Sequence, residues 1–311
     1  MKSTESYSKV FYDVRPAKQV ERRMLVESFQ VLSHEGYEIH DYQYTGLGSI
    51  YFVDFIMFHK FLGIHRMLSV EHDDKIRKRV AFNQPFRCVK VKSADIADEI
   101  PSLSDRRRHI VWLDYDSIMT REHLQHLWLA AAKLPRYSFM LVTVDAEPPV
   151  EDGTPRKWRD YFRNEAQQYL GNLTLSDFGE SNLINVNRGI LTRAFDSGIA
   201  SRTLKYIPIW AFSYADGHEM LTIGGMVGTD QDEKDLRKSA LAKLDYVRFN
   251  RDDDIFKITV PRLTRKERLY LDKAMPPTKA WRPKQFELGE DWLEAYSRIY
   301  RYFPSYAELV L

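Results

Sequence analysis

One cysteine in 311 residues excludes an internal disulfide, so packing and hydrogen bonds must hold the fold. That residue, Cys88, lies in an apolar, strand-like run and reads as a small core side chain. Long apolar runs are also missing: none reaches the ~18 residues that mark a membrane helix. The opening MKSTESYSKV has no signal-type hydrophobic stretch, and cysteine use fits a reducing compartment; a cytoplasmic protein with no membrane contact is expected. Neither sign of charge dominates. Lys+Arg number 46 and Asp+Glu 44, a net charge of +2, which excludes a chain that binds polyanions with its whole surface. Internal repeats, low-complexity tracts and His/Cys clusters with zinc spacing are absent, and no metal site is assigned.

What is present is enough apolar material for a packed core, 44% of residues, in a length that suits one large α/β domain with additions. The stretch from Ile39 to Asp74 organises the rest. Ile39–Tyr44 reads as a strand, Thr45-Gly46-Leu47-Gly48-Ser49 as a turn, Ile50–Leu62 as a helix stopped by Gly63, and Met67–Val70 as a second strand ending on Glu71. Glycines between a strand and a helix let a ligand approach backbone N–H groups, and the helix terminus favours an anion. An acid about 20 residues on, at the next strand end, can accept from both hydroxyls of an adenosine ribose.

Before this stretch, Pro16 opens a helix to Leu32 with Val20, Met24, Leu25, Phe29 and Leu32 at helical spacing. Its Lys18, Arg22 and Arg23 mark either a solvated face or, with Arg15 and Lys18 near the ligand, a lid over the site. After Glu71 the pattern repeats strand and helix. Phe86–Val91 leads to Asp95, a cap or an adenine contact. His109–Leu113 delivers Asp114-Tyr115-Asp116-Ser117. Thr120 caps a helix to Lys133 with Leu124, Leu127, Trp128 and Ala131 inward, and Tyr137–Val144 ends at Asp145 and Glu147. Helices are read at Pro155–Leu170 and Leu183–Ile199; then Ile207–Tyr214 and Glu219–Val227 flank Asp216-Gly217 as a hairpin. Asp232–Tyr246 reads as a helix, Ile255–Val260 as a short strand, Thr264–Ala274 and Trp292–Tyr302 as helices. The expected fold is a doubly wound, mostly parallel α/β sheet closed by an antiparallel hairpin, with an N-terminal helix and a C-terminal helical extension. The corresponding divisions are a lid segment over 1–36, the sheet domain over 37–228 and the extension over 229–311.

Strand–helix units followed by a late hairpin resemble the class I S-adenosylmethionine-dependent methyltransferases over Glu38–Gly228. The wording YTGLGSIYFVDF, SVEHD and WLDYD is similar to a bacterial group of O-methyltransferases whose substrates have no name here. The resemblance implies a Rossmann-like seven-stranded sheet and S-adenosyl-L-methionine as cofactor. It implies a cofactor-binding set of Tyr44, Thr45, Gly46, Gly48, Ser49, Glu71, His72, Asp95 and Asp114: glycines beside the methionine part, Glu71 on the ribose, Asp95 near adenine. Two positions depart from the pattern. Tyr44 stands where the family has an acid, with Asp41 and Asp54 as substitutes, and Tyr51 replaces the third glycine.

Methyl transfer is an in-line displacement that needs alignment and sometimes removal of a proton. Asp114 and Asp116, on one side of an extended chain, are the catalytic candidates for an acceptor hydroxyl or amine. With Asp145 and Glu147 they offer oxygen ligands to a hard cation. The Asn/Asp-Pro-Pro-aromatic run of amino-directed nucleic-acid methyltransferases is replaced by Asp-Tyr-Asp-Ser, and Cys88 has no neighbouring proline as cytosine-C5 enzymes require. An oxygen acceptor of unknown identity remains by elimination. Two alternatives stand beside this enzyme. One is a catalytically silent Rossmann-type module that binds a ligand or partner in a defence or modification system. The other is a nucleic-acid-modifying methyltransferase docking through Lys257, Arg262, Arg265, Lys266, Arg268, Lys273, Lys279, Arg282 and Lys284, with Tyr270 and Trp281 interleaved.

Overall fold

The structure, a computed structural model, describes residues 15–48, 50–150, 152–277 and 281–305. In chain order the elements are α1 (Pro16–His34), β1 (Gln43–Leu47), α2 (Val53–Leu62), β2 (Arg66–Glu71), α3 (Arg77–Phe82), β3 (Val89–Ser93), α4 (Ile96–Glu99) and β4 (His109–Ile118). There follow α5 (Arg121–Lys133), β5 (Phe139–Asp145), α6 (Pro155–Ala166), α7 (Leu183–Ile199), β6 (Lys205–Ala215), β7 (Glu219–Gly228), α8 (Asp230–Lys238), β8 (Phe256–Ile258), α9 (Arg265–Asp272) and α10 (Glu290–Ile299).

The strands form one sheet in the order β3-β2-β1-β4-β5-β7-β6-β8. The first five run parallel, β7 is antiparallel to both β5 and β6, and β8 runs parallel to β6. The sheet is therefore eight-stranded rather than seven: Phe212–Tyr214 of β6 pairs with Phe256–Ile258, so the segment after residue 228 supplies an edge strand as well as helices.

Side chains alternate across the sheet with the period of two that a doubly covered strand requires. Met67, Ile110, Trp112, Phe139 and Leu141 enter a core beneath α1 and α2. Leu68, Val70, Val111, Leu113, Met140 and Val142 enter a second core beneath α5 and α7. Tyr246, Phe256, Ile258, Ile299 and Tyr302 join the α1–α2 core, so the C-terminal segment packs on the same side as the N-terminal helix.

Helix α1 follows its apolar spacing: Val20, Met24, Leu25, Phe29 and Leu32 are all fully buried. Burying a side chain the size of Phe29 is worth roughly 2–3 kcal/mol. The helix has no side-chain cap of its own. Instead the hairpin residue Asp216 accepts from the Ala17 and Lys18 amides at 3.0 and 2.9 Å, which satisfies orphan donors and opposes the dipole. The turn that closes the sheet thus also fixes the start of α1.

Three local expectations are corrected. Thr45, Gly46 and Leu47 belong to β1, because pairing with β2 on one side continues past Tyr44; the bend begins only at Gly48. Strand β4 runs on through Asp114–Ile118, with a register shift against β5 between Asp114 and Ile118, so the acid-rich segment is strand edge rather than free loop. Trp128 lies 39% exposed, while Leu124, Leu127 and Ala131 are buried, since one residue along a helix turns the side chain about 100° off the inward stripe.

Candidate active site

Strands β1, β2 and β3 end at one edge of the sheet, β4 runs on past them, and the bend after β1 meets the end of β2. The Gly48 amide donates to the Val70 carbonyl at 2.5 Å. A Cβ on Gly48 would stand 2.6 Å from Glu71 Cβ and 3.0 Å from its Oε2, distances no side chain tolerates. Only glycine lets the bend close on this acid. At Gly46 the corresponding space is taken by the chain itself: a Cβ would lie 2.7 Å from the Tyr44 hydroxyl and 3.3 Å from the Phe55 ring. Beyond the bend, Phe52 is held at φ 51° in the left-handed region, a strained conformation for an aromatic residue that burial against Phe55 maintains. Ser49 lies outside the described residues.

Glu71 is buried, with Oε1 accepting from the Asp73 amide at 2.9 Å. Burial pushes its carboxyl above the ordinary range, and the Asp73 amide and the His72 ring only partly offset this. A carboxylate in that condition is short of donors, and a pair of hydroxyls is the chemistry that would relieve it. His72 is exposed, its Nδ1 3.6 Å from Glu71 Oε1. Thr45 is fully buried within β1.

Asp95 caps α4 through the Ala97 amide at 2.7 Å and leaves nearly half its side chain exposed. It faces a set of flat rings that the sequence reading missed. His126 Nε2 lies 3.4 Å from Asp95 Oδ1, the Tyr115 hydroxyl 2.8 Å from His126 Nδ1, and the His123 ring stacks on Tyr115 at 3.8 Å between centroids. Burial lowers both histidines, His123 to about 4, so both are neutral at neutral pH. The available signal was the i, i+3 pair His123/His126 on α5, close after a strand end.

On the other side of the bend α1 brings charges inward. Lys18 is fully buried; its Nζ lies 2.6 Å from Asp114 Oδ1 and 2.8 Å from Glu21 Oε2, and 4.4 Å above the Trp112 ring. Burial alone would raise the Asp114 carboxyl, but Lys18 and Arg22 outweigh it and hold Asp114 below the usual range. Glu21 is moved the other way: complete burial raises it, Lys18 lowers it, and Asp114 raises it again. Arg22 is only 4% exposed, and its Nε and Nη1 have no hydrogen-bond partner among the described residues. The Tyr44 hydroxyl donates to Asp54, whose carboxyl is raised by burial against the pull of Arg22. Of the two candidate substitutes for the missing acid, Asp54 therefore reaches Tyr44 from the first turn of α2, whereas Asp41 is exposed and pairs with Arg66.

Asp116 is exposed two residues beyond Asp114, past the start of the β4 irregularity. Asp145 and Glu147 spend their oxygens on backbone: Asp145 accepts from the Glu147 amide at 2.8 Å and Glu147 from the Glu219 amide at 2.9 Å. Among the described residues these acids do not gather with Asp114 and Asp116 into a cation-holding group. In the C-terminal basic region Arg282 pairs with Glu290, Arg268 reaches Ser305 Oγ at 3.1 Å, and Tyr270 lies 5.9 Å from Trp281; Lys279 is outside the described residues.

A parallel five-strand run with an antiparallel β7 inserted between β5 and β6, and a glycine bend closed on an acid, make a Rossmann-like α/β fold. The chain matches, over residues 10–311, the model of the family described as "Putative O-methyltransferase", and it belongs to that family. Its class is methyltransferase. No curated protein matches the sequence. Among solved structures it is similar to Trm1 from Pyrococcus horikoshii in complex with S-adenosyl-L-methionine, at 12% identity, covering 74% of this chain and 60% of that one, with a TM-score of 0.46. It is also similar to a "putative O-methyltransferase" from Klebsiella pneumoniae, at 12% identity over 70% and 83% of the two chains and a TM-score of 0.40. A third is a probable spermidine synthase from Corynebacterium glutamicum, at 11% identity over 67% and 63%, with a TM-score of 0.44. The chain spans about 60% of the length of the Pyrococcus protein. No helix among the described residues is long and apolar enough to cross a membrane.

Proposed function

We propose that this chain transfers a methyl group from S-adenosyl-L-methionine to a hydroxyl or carboxyl oxygen held beside Asp114. The observation that carries this reading is the ion pair of Asp114 with the buried Lys18 at the edge where the parallel strands finish. When bound, the cofactor supplies an electrophilic methyl group. The chain's own part is to bind and align. Glu71 takes the ribose hydroxyls, and Asp95 with Tyr115 and His126 takes the adenine edge. Arg22, buried with unused donors, takes the carboxylate of the methionine part.

Lys18 keeps Asp114 ionised, so Asp114 is a hydrogen-bond acceptor that orients an acceptor hydroxyl rather than a strong base. About one-third of its side chain stays exposed, which leaves an edge free for that contact. Asp116, exposed on the same strand, lines the outer side of the acceptor. Burial of Lys18 and Glu21 beneath α1 keeps water from the inner side.

Calorimetric titration with S-adenosyl-L-methionine tests the cofactor half of the proposal. Gly48→Ala, whose Cβ would displace Glu71, should weaken binding at least ~30-fold, about the 2 kcal/mol of a charge-assisted contact. Transfer of radiolabelled methyl groups to small-molecule and macromolecular fractions tests the other half. Asp114→Asn should bind cofactor as the parent does and transfer ~100-fold more slowly. Cofactor binding without transfer to any fraction would sink the enzymatic reading and leave a silent module.

A further inference from the structure

At the opposite end of the same strands, three side chains converge that have no place in methyl transfer. His59 lies in the last turn of α2, His65 immediately before β2, and Cys88 immediately before β3. One ring nitrogen of each histidine and the Cys88 sulfur lie within 4.8 Å of one another. We propose that His59, His65 and Cys88 bind a single zinc-class transition-metal ion, clipping the end of α2 to the entries of the edge strands β2 and β3.

The chemistry of the donors selects the ion. Two imidazoles and one thiolate suit a borderline-soft cation and are poor ligands for magnesium or calcium. Tetrahedral bonds of about 2.3 Å to sulfur and 2.0–2.1 Å to nitrogen put ligand atoms roughly 3.3–3.6 Å apart. The Cys88 sulfur is already 3.7 Å from His59 Nδ1. The remaining adjustment falls on His65, whose exposed ring can turn about its side-chain bonds at little cost. The His59 ring packs on the Phe86 ring, 4.4 Å away between centroids; its Nδ1 also lies 2.9 Å from the Ile64 carbonyl, a contact given up when the Nδ1 lone pair turns to the metal. One nitrogen on a packed ring, one movable nitrogen and a half-buried sulfur make three protein ligands, with the fourth position open to water. On binding, the Cys88 S–H bond is lost to form the metal–sulfur bond and its proton passes to solvent, so affinity rises with pH.

The test is titration of the intact, metal-stripped protein with Zn²⁺ by calorimetry, and with Co²⁺ by absorption. Expected are one equivalent bound, a cobalt–thiolate charge-transfer band in the near ultraviolet, and a higher unfolding temperature with zinc. Cys88→Ser should abolish the band. His65→Ala, at an exposed position that cannot disturb the core, should weaken binding at least about tenfold while leaving S-adenosyl-L-methionine affinity unchanged. Absence of the thiolate band, or parental zinc affinity in either variant, would show an adventitious ion only and overturn the site.

Discussion

Beneath α5 and α7 the sheet meets side chains such as Leu124, Leu127, Ile190, Leu191 and Phe195, all buried and apolar. Beneath α1 and α2 the same sheet meets Phe29 and Phe58, but also Lys18, Glu21, Arg22 and the Tyr44–Asp54 pair. Both layers bury comparable aromatic and aliphatic mass, so the difference is one of charge. Buried ions contribute little or nothing net to stability over an apolar core of the same shape. Lys18, Glu21 and Arg22 lie on the face that borders the bend at Gly48, whereas Glu99 on the other face pairs with the half-exposed Lys92; the deeply buried charges beside the bend serve something other than folding.

The comparison can be broken by exchanging the two kinds of damage. Phe195→Ala, which removes a ring stacked on Tyr206 at 4.3 Å, should cost about 3–5 kcal/mol in denaturant unfolding while folded molecules retain parental cofactor affinity. Lys18→Met strands Glu21 and Asp114 and should cost about 3 kcal/mol; adding Glu21→Leu should restore stability to within about 1 kcal/mol of the parent. Methyl transfer should remain lost in that double variant, because Asp114 no longer has its cation. A double variant that is stable and fully active would erase the distinction between the faces.

The smallest effect concerns pH. Glu21 has a folded value raised above its ordinary 4.5, so the folded chain holds this proton more tightly than the unfolded one. Its contribution is present below about 4.5 and is lost as pH rises through the folded value. Asp114 is shifted downward, so its contribution is present above its ordinary 3.8 and is lost as pH falls through the folded value. Glu21→Gln should therefore flatten the decline in stability with rising pH above 4.5, measured as unfolding midpoints across a pH series. A slope unchanged by the substitution would mean that burial does not raise Glu21 in the folded protein.

Much of the layer architecture was legible because it is periodic. Val20, Met24, Leu25, Phe29 and Leu32 repeat at helical spacing, HIVWL is a continuous apolar run, and Asp216-Gly217 is a turn signal; each falls where the pattern put it. Boundaries slipped where pairing outlasted local propensity. Thr45-Gly46-Leu47 is strand because β2 lies alongside, and Asp114–Ile118 is strand because β5 does in part. The candidate site was half legible. Glu71 and the glycines are close in sequence, and the close contact of Gly48 with Glu71 is local in effect. Lys18 was visible as a cation on a helix, but whether it faced water or Asp114, 96 residues away, depended on how α1 docks.

Spacing and composition by themselves determined the α/β layering and the bend-and-acid pair, because these follow from short-range periodicity and local backbone needs. Tertiary structure alone decided which polar side chains come together: Lys18 with Glu21 and Asp114, Asp95 with His126, and His59 with His65 and Cys88. The physical reason is that a charge's partner and solvation are set by elements distant in sequence, whereas a residue's tendency to face a core is written in its immediate neighbours.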